Sequence, residues 1–201
     1  MINKVTLIFI LCSITYSCKS NKEDKVPVQH NPSRHINQEI LNTNAYSYYL
    51  KGRYFLEAND FDSATFYLKK SLKYEKNPIT YNELGRVELS KNNNLDAINY
   101  FKQSREVDPT YWINYINESR VFLILKKHSE AENILNKLIE RSDSDYWISY
   151  ANYYLALINY EQGNNCKKIQ QLIEKSKNME LDPEVSKQYL KHKNIILQDC
   201  I

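Results

Sequence analysis

The chain has 201 residues, of which 25% are charged, and a formal net charge of +3. That length suits one domain or two, and the near balance of charge implies no large basic surface for nucleic acid. Three glycines and five prolines, set against 17 tyrosines and abundant Leu, Ile, Lys and Glu, exclude a turn-dense β fold and predict an all-α protein.

Residues 1–17 read as an address and stand outside the fold. Lys4 precedes an apolar run from Val5 to Ile14, which is too short for a membrane span, and Cys18 follows. The stretch "MINKVTLIFILCSITYSC" resembles a bacterial lipoprotein signal, although Thr15 and Tyr16 depart from the usual residues before the cysteine. The resemblance implies that Cys18 is the acylated first residue of the mature chain, anchoring it without spanning, each buried acyl CH₂ contributing about 0.8 kcal/mol. An ordinary cleaved signal and an uncleaved anchor are the alternatives. Lys19 stands where inner-membrane retention calls for aspartate, so the resemblance points to the outer membrane of a bacterial envelope. "KSNKED" at 19–24 is similar to a surface-export tag, and reads equally as a solvated tether.

Residues 18–43 form the expected tether, with Pro27, Pro32 and many polar side chains. His30 and His35 lie in it without a cysteine or carboxylate at matching spacing, so no metal site is expected there.

From residue 45 the sequence repeats. Gly52 and Gly85 are 33 apart, Ala64 and Ala97 are 33 apart, and Ala131 follows 34 later. Each unit holds two apolar-periodic stretches separated by a polar break, "NDFD", "KNNNL" or "KKHSE", which predicts helix, turn, helix. Tyr81, Leu84, Gly85, Ala97, Phe101 and Pro109 form the fullest set. Tyr48, Gly52, Phe55, Ala64, Leu68 and Ser71 form a second, with Lys51 in place of leucine. Tyr115, Phe122, Ala131, Leu135 and Leu138 form a third, with Glu118 and Ser119 in place of Leu-Gly. A fourth unit at roughly 146–181 opens on "YWISY", an echo of "YWINY" at 111–115.

On these residues the chain resembles a tetratricopeptide-repeat protein. The resemblance implies a right-handed α-solenoid of about four helix hairpins over 44–201, closed by a capping helix at 183–199 with Val185, Tyr189, His192 and Ile196 on its inner stripe. A helix-interior glycine costs about 1 kcal/mol relative to alanine. Its expected return is a close helix crossing, Gly85 against Ala97 and Gly52 against Ala64. Gly163 falls in a turn. Pro78, Pro109 and Pro183 mark unit boundaries, and Ser129 with Glu132 has capping-box spacing.

In such a fold the second helix of unit four starts near Cys166 and the capping helix ends near Cys200. Antiparallel helices would bring these ends together, so a disulfide is expected; one buried and one exposed thiol is the alternative.

The chain has no G-x-S-x-G, no H-E-x-x-H and no glycine-rich phosphate loop, so no catalysis and no cofactor is expected. The family lines its concave groove with the first helix of each unit, and the residues after the packing-glycine sites are Arg53, Arg86 and Arg120. One turn earlier stand Tyr49, Asn82 and Ile116. The resemblance implies that this row binds a protein partner, and guanidinium chemistry suits an acidic or carboxylate-terminated segment. Solvation, or pairing with Glu57 and Glu88, is the competing reading. The family's carboxylate clamp is not reproduced, because Tyr49, Glu83 and Ile113 occupy some of its sites, so a chaperone-tail function is not implied. A different class of function, glycan or peptidoglycan-fragment binding, would use Tyr49, Trp112, Tyr115 and Trp147 as ring faces.

Overall fold

The computed structural model describes residues 40–183 and 185–200. The expected signal at 1–17, Cys12, Cys18, His30, His35 and the tether up to residue 39 lie outside the described residues. Nine α-helices and no strand occur among the described residues. They are α1 (Thr43–Glu57), α2 (Phe61–Tyr74), α3 (Pro78–Ser90), α4 (Asn94–Val107), α5 (Ile113–Ile124), α6 (His128–Arg141), α7 (Asp145–Glu161), α8 (Cys166–Lys175) and α9 (Ser186–Gln198). A short 3₁₀ segment, Lys177–Leu181, joins α8 to α9.

Within α1 to α8 each helix packs on the next, the odd and even helices pair into hairpins, α9 packs on the 3₁₀ segment, and α1, α3, α5 and α7 also touch in succession. This is the expected solenoid of four helix hairpins with a terminal helix. Most of its contacts are local, so the fold follows from one hairpin rule applied four times.

The rule is visible at the turns. Asn59, Asn92, Lys126 and Gly163, each two residues beyond an odd helix, have φ of 60°, 62°, 56° and 68°. The following N–H groups, those of Asp60, Asn93, Lys127 and Asn164, donate to Phe55, Glu88, Phe122 and Asn159 at 2.8–2.9 Å. The left-handed residues themselves donate back to Leu56, Leu89, Leu123 and Tyr160 at 2.9–3.1 Å. Four Schellman motifs thus satisfy the last carbonyls of the four odd helices and reverse the chain. Glycine does this once, asparagine twice and lysine once.

Helix starts are satisfied less uniformly. Asn42 and Asn77 accept from the first-turn N–H groups of α1 and α3, Asp60 from Ser63, and Pro78 opens α3. The expected capping box at Ser129 and Glu132 does not form. Helix α6 begins at His128 and Lys127 holds the cap position with no side-chain bond, which leaves Ser129 inside the first turn. The last residues of the expected tether are also held in the domain: Ile40 packs on the first core cluster, and the N–H groups of Leu41 and Asn42 donate to the Glu75 carboxylate at 3.3 and 2.6 Å.

Between helices of a hairpin, glycine does allow close approach, but the opposing residue is one turn further along than expected. A Cβ on Gly52 would stand 2.7 Å from Cδ2 of Leu68, and one on Gly85 2.7 Å from Cδ1 of Phe101. Ala64 and Ala97 are fully buried beside these contacts without being the opposing surface. A second repeated device binds the first two hairpins: Ser71 Oγ donates to the Ala45 carbonyl at 2.8 Å and Ser104 Oγ to the Pro78 carbonyl at 2.6 Å.

Helix α9 covers the last hairpin with Tyr189, His192 and Ile196, all fully buried, while Val185 lies at its edge, half-buried. Tyr189 meets Ser176 and the Ile173 carbonyl, and His192 Nδ1 is hydrogen-bonded to the Tyr153 hydroxyl. Cys166 at the start of α8 and Cys200 beyond α9 form a disulfide with Cα atoms 5.3 Å apart. No helix of the described residues is long and apolar enough to cross a membrane.

Candidate interaction surface

Arg53, Arg86 and Arg120 occupy the same place in α1, α3 and α5, each one residue beyond Gly52, Gly85 or Ser119 and each four residues before the helix end. All three are partly accessible, with side-chain exposures of 43% for Arg53 and 46% for Arg86. The odd helices lie in a row, so the fold puts the three guanidinium groups on one surface.

That surface carries its own acids. Arg53 Nη2 donates to Glu57 Oε1 at 3.1 Å, and Arg86 Nη1 to Glu83 Oε2 at 2.7 Å. Glu88, expected as a local acid for Arg86, turns instead to Asn93 and Lys91. Arg120 Nη1 donates to Asn117 Oδ1 at 3.3 Å. Asn117 Nδ2 in turn donates to Asn82 Oδ1 at 2.8 Å, a buried bond joining α5 to α3. Asn82 is thus spent on the interior, holding the spacing of two helices that carry Arg86 and Arg120.

Tyr49 is nearly buried, and burial, with the nearby Glu83 carboxylate second, pushes its phenol up to about 12. Tyr111, two residues before α5, is also buried and raised, first by burial and then by Glu83 and Tyr49. Arg53 is lowered by burial, but Tyr49, Glu83 and Glu57 together outweigh that and raise it. Tyr49, Arg53, Glu83, Arg86 and Tyr111 therefore form one electrostatic neighbourhood spanning α1, α3 and the approach to α5. Ile116, expected in the row, is 1% exposed and belongs to the core. Its helix is covered on almost every side, so a side chain one turn before Arg120 points into packing.

The ring faces expected for a glycan are not offered either. Trp112, Tyr115 and Trp147 are 6%, 2% and 3% exposed, and Tyr49 is 9% exposed. Tyr115 is engaged by the Arg105 guanidinium 5.1 Å from its ring centroid. Arg105 forms a buried ion pair with Glu118 that ties α4 to α5.

Residues 45–78 match the family model of the tetratricopeptide repeat. The chain carries a tetratricopeptide repeat. No curated protein matches the sequence. Among solved structures, a MamA fragment running from residue 41 to the end, from Desulfovibrio magneticus RS-1, is 17% identical. It covers 78% of this chain and 95% of its own, with a TM-score of 0.56. A double mutant of the RS-1 MamA is 16% identical over 78% and 94%, TM-score 0.56, and a crystal structure of MamA is 21% identical over 77% and 91%, TM-score 0.57. At such identities the likeness is one of fold, and it extends the tetratricopeptide-repeat architecture over most of the described chain.

Tyr111 and Asn117 were not singled out by the sequence, and Glu83 was named only as a departure from the family's carboxylate clamp. A signal existed for Glu83, which stands three residues before Arg86 on one helix, the spacing of a helical ion pair. Nothing local marks Asn117; its partner is 35 residues away. Among the described residues no cluster of His, Cys, Asp and Glu has the makings of a metal site. A shallow cleft of about 340 Å³ between α2, α3 and α4 is lined by Lys69, Glu88, Asp96, Asn99, Tyr100 and Gln103. Its polar lining lacks the apolar floor of a small-molecule site.

Proposed function

We propose that this protein is a non-enzymatic interaction scaffold whose inner surface holds an acidic or carboxylate-terminated segment of a protein partner. We further propose that acylation of Cys18 anchors it in a bacterial envelope as an outer-membrane lipoprotein. One observation carries the first part: three partly exposed arginines at the same position of three successive odd helices. Guanidinium groups one repeat apart can each meet a different carboxylate of one segment, and arginine pairs carboxylates with two parallel bonds. The partner's carboxylates then exchange with Glu57 and Glu83, which pair Arg53 and Arg86 in the partner's absence. The second part rests on the resemblance of residues 1–18 to a lipoprotein signal.

The test is cross-linking in the native host, comparing wild type with Arg53→Glu, Arg86→Glu and Arg120→Glu combined, with folding of the variant checked by circular dichroism. A partner held by wild type and lost from the folded variant supports the reading, and equal capture by both sinks it. Labelling with radioactive palmitate separately tests the anchor: label must enter wild type and be lost from Cys18→Ala.

A further inference from the structure

Repeat two shows what covers the leading face of a hairpin in this solenoid. Its Leu84 is fully buried in a cluster with Leu68 of α2, and Tyr100 and Leu72 pack on the same cluster. Helix α2 of the preceding repeat is therefore the cover. The residues 33 earlier, Lys51 and Tyr67, have the same place in repeat one, and no described helix lies over them.

The face that the described helices leave open is not built for water alone. Tyr74, Tyr48, Tyr67 and Phe55 run across it as a chain of stacked rings, with successive centroids 5.6, 6.4 and 5.3 Å apart. Tyr74 is 46% exposed and the adjoining Phe66 59%. Over the rings sit two ammonium groups, Lys70 at 4.4 Å and Lys51 at 5.8 Å from the Tyr48 centroid. No ion pair of either lysine with an acid is found among the described residues, whereas Lys91 and Lys193 both have one. A terminal repeat that only needed solubility would carry a mixed polar outer face. Here, among the described residues, the rings are framed by the ammonium groups of Lys51 and Lys70.

We propose that this face docks an amphipathic helix of a protein partner, which adds to the solenoid as α2 adds to α3, its apolar side chains covering the tyrosines and an acidic side chain meeting Lys51 and Lys70. Helix is the required shape because Lys51 and Tyr67 hold the places of Leu84 and Tyr100 in a face that already holds a helix, while Phe55, Phe66, Lys70 and Tyr74 replace Glu88, Asn99, Gln103 and Val107 and make this copy of the face more aromatic and more basic. Acid is the required charge because lysine replaces the buried leucine, and an apolar partner side chain would strand that ammonium group. The surface is separate from the arginine row and stands or falls independently of it.

The experiment uses fluorescent peptides of the α2 sequence, Phe61–Tyr74, in which the residue corresponding to Leu72 is changed to Glu in one and to Lys in the other. Binding to the full chain is read by anisotropy. The glutamate peptide is expected to bind wild type and to lose about tenfold or more in affinity on Lys51→Glu with Lys70→Glu. The lysine peptide should show the reverse preference, which also proves the variant folded. Charge reversal at Arg53, Arg86 and Arg120 should leave both unchanged. Equal binding of the two peptides, or none, overturns the proposal. So does a result in which Lys51→Glu with Lys70→Glu abolishes instead the adsorption of a Cys18→Ala chain to vesicles containing phosphatidylglycerol, or its self-association in sedimentation, since the occupant is then a membrane or a second copy.

Discussion

Phe101 presses one side of its ring against the bare Cα of Gly85, so close that a single added methyl group would overlap the ring at Cδ1, 2.7 Å away. Helices α3 and α4 can approach to this distance only because position 85 has no side chain. Alanine there gains about 1 kcal/mol of helix propensity but overpacks a buried aromatic ring, at a cost of about 1–3 kcal/mol. Gly85→Ala should therefore lower the thermal midpoint, and Phe101→Leu in the same chain should recover part of the loss. A rise in midpoint on Gly85→Ala alone would show that the ring moves freely aside. Gly52→Ala should behave alike, against Leu68.

The glycine spacing made the repeat readable, and the identity of the opposing residue was not. Two small residues 12 apart, Gly85 and Ala97, announce a tight hairpin whichever way its helices are rotated. Which side chain then meets the glycine depends on a shift of one helical turn, and that shift is set by packing along the whole hairpin. The arginine row was legible because period alone defines it. Ile116 and the tryptophans were misplaced because period says which residues are equivalent, and burial differs between equivalents: Tyr49, Asn82 and Ile116 share a position and only the third is a plain core side chain. Charges that reach across repeats, such as Arg105 to Glu118, leave no trace at any short spacing.

Lys126 holds the left-handed position that Asn59, Asn92 and Gly163 hold in the other turns, with φ of 56°. For a residue with an ordinary Cβ this conformation costs about 1–2 kcal/mol, and asparagine or glycine tolerates it better. Lys126→Gly should raise stability by up to about 1 kcal/mol in urea unfolding, the gain being reduced by the greater freedom of glycine in the unfolded chain. Lys127→Gly, one residue on, should give no gain. If both behave alike, the turn geometry is not what limits this hairpin.

The disulfide between Cys166 and Cys200 closes a loop with a sequence separation of 34. Loop-closure entropy assigns such a bridge about 3–4 kcal/mol. Cys166→Ser with Cys200→Ser should destabilise by a comparable amount, with α8 and α9 losing amide-exchange protection before α1 to α4, because contacts in a solenoid are local. Uniform loss of protection would show that the terminal helix holds the entire domain together. Alkylating agent should label neither cysteine until reductant is added.

Glu57 competes with any partner for Arg53, at 3.1 Å and well exposed to solvent. Exposed pairs contribute about 0.2–1 kcal/mol, so Glu57→Gln should strengthen binding of an acidic segment by up to about fivefold and leave stability almost unchanged. The change should vanish in the Arg53→Ala background. If Glu57→Gln weakens binding instead, the acid contacts the partner directly, and the surface reads a basic or mixed segment.

His192 gives the terminal helix a pH dependence whose sign is fixed. The ring is fully buried, its Nδ1 is bonded to the Tyr153 hydroxyl and its Nε2 has no hydrogen-bond partner. Burial first, and the Lys191 charge second, lower its pKa from 6.5 to about 4. Above pH 6.5 neither the folded nor the unfolded chain holds a proton there, and the contribution to stability is constant. As pH falls through 6.5 the unfolded chain takes up a proton that the folded one refuses, so stability declines until about pH 4, where the folded ring also protonates. The span corresponds to about 3 kcal/mol. Carboxylates titrate over part of the same range, so the measurement is a difference: urea midpoints of wild type and His192→Gln at pH 7.5, 6, 5 and 4.5. The wild type should lose more stability than the variant at each step down, most of it between pH 6 and 4.5. Parallel curves would mean that water reaches the imidazole and that the terminal helix opens at acid pH without a buried histidine driving it.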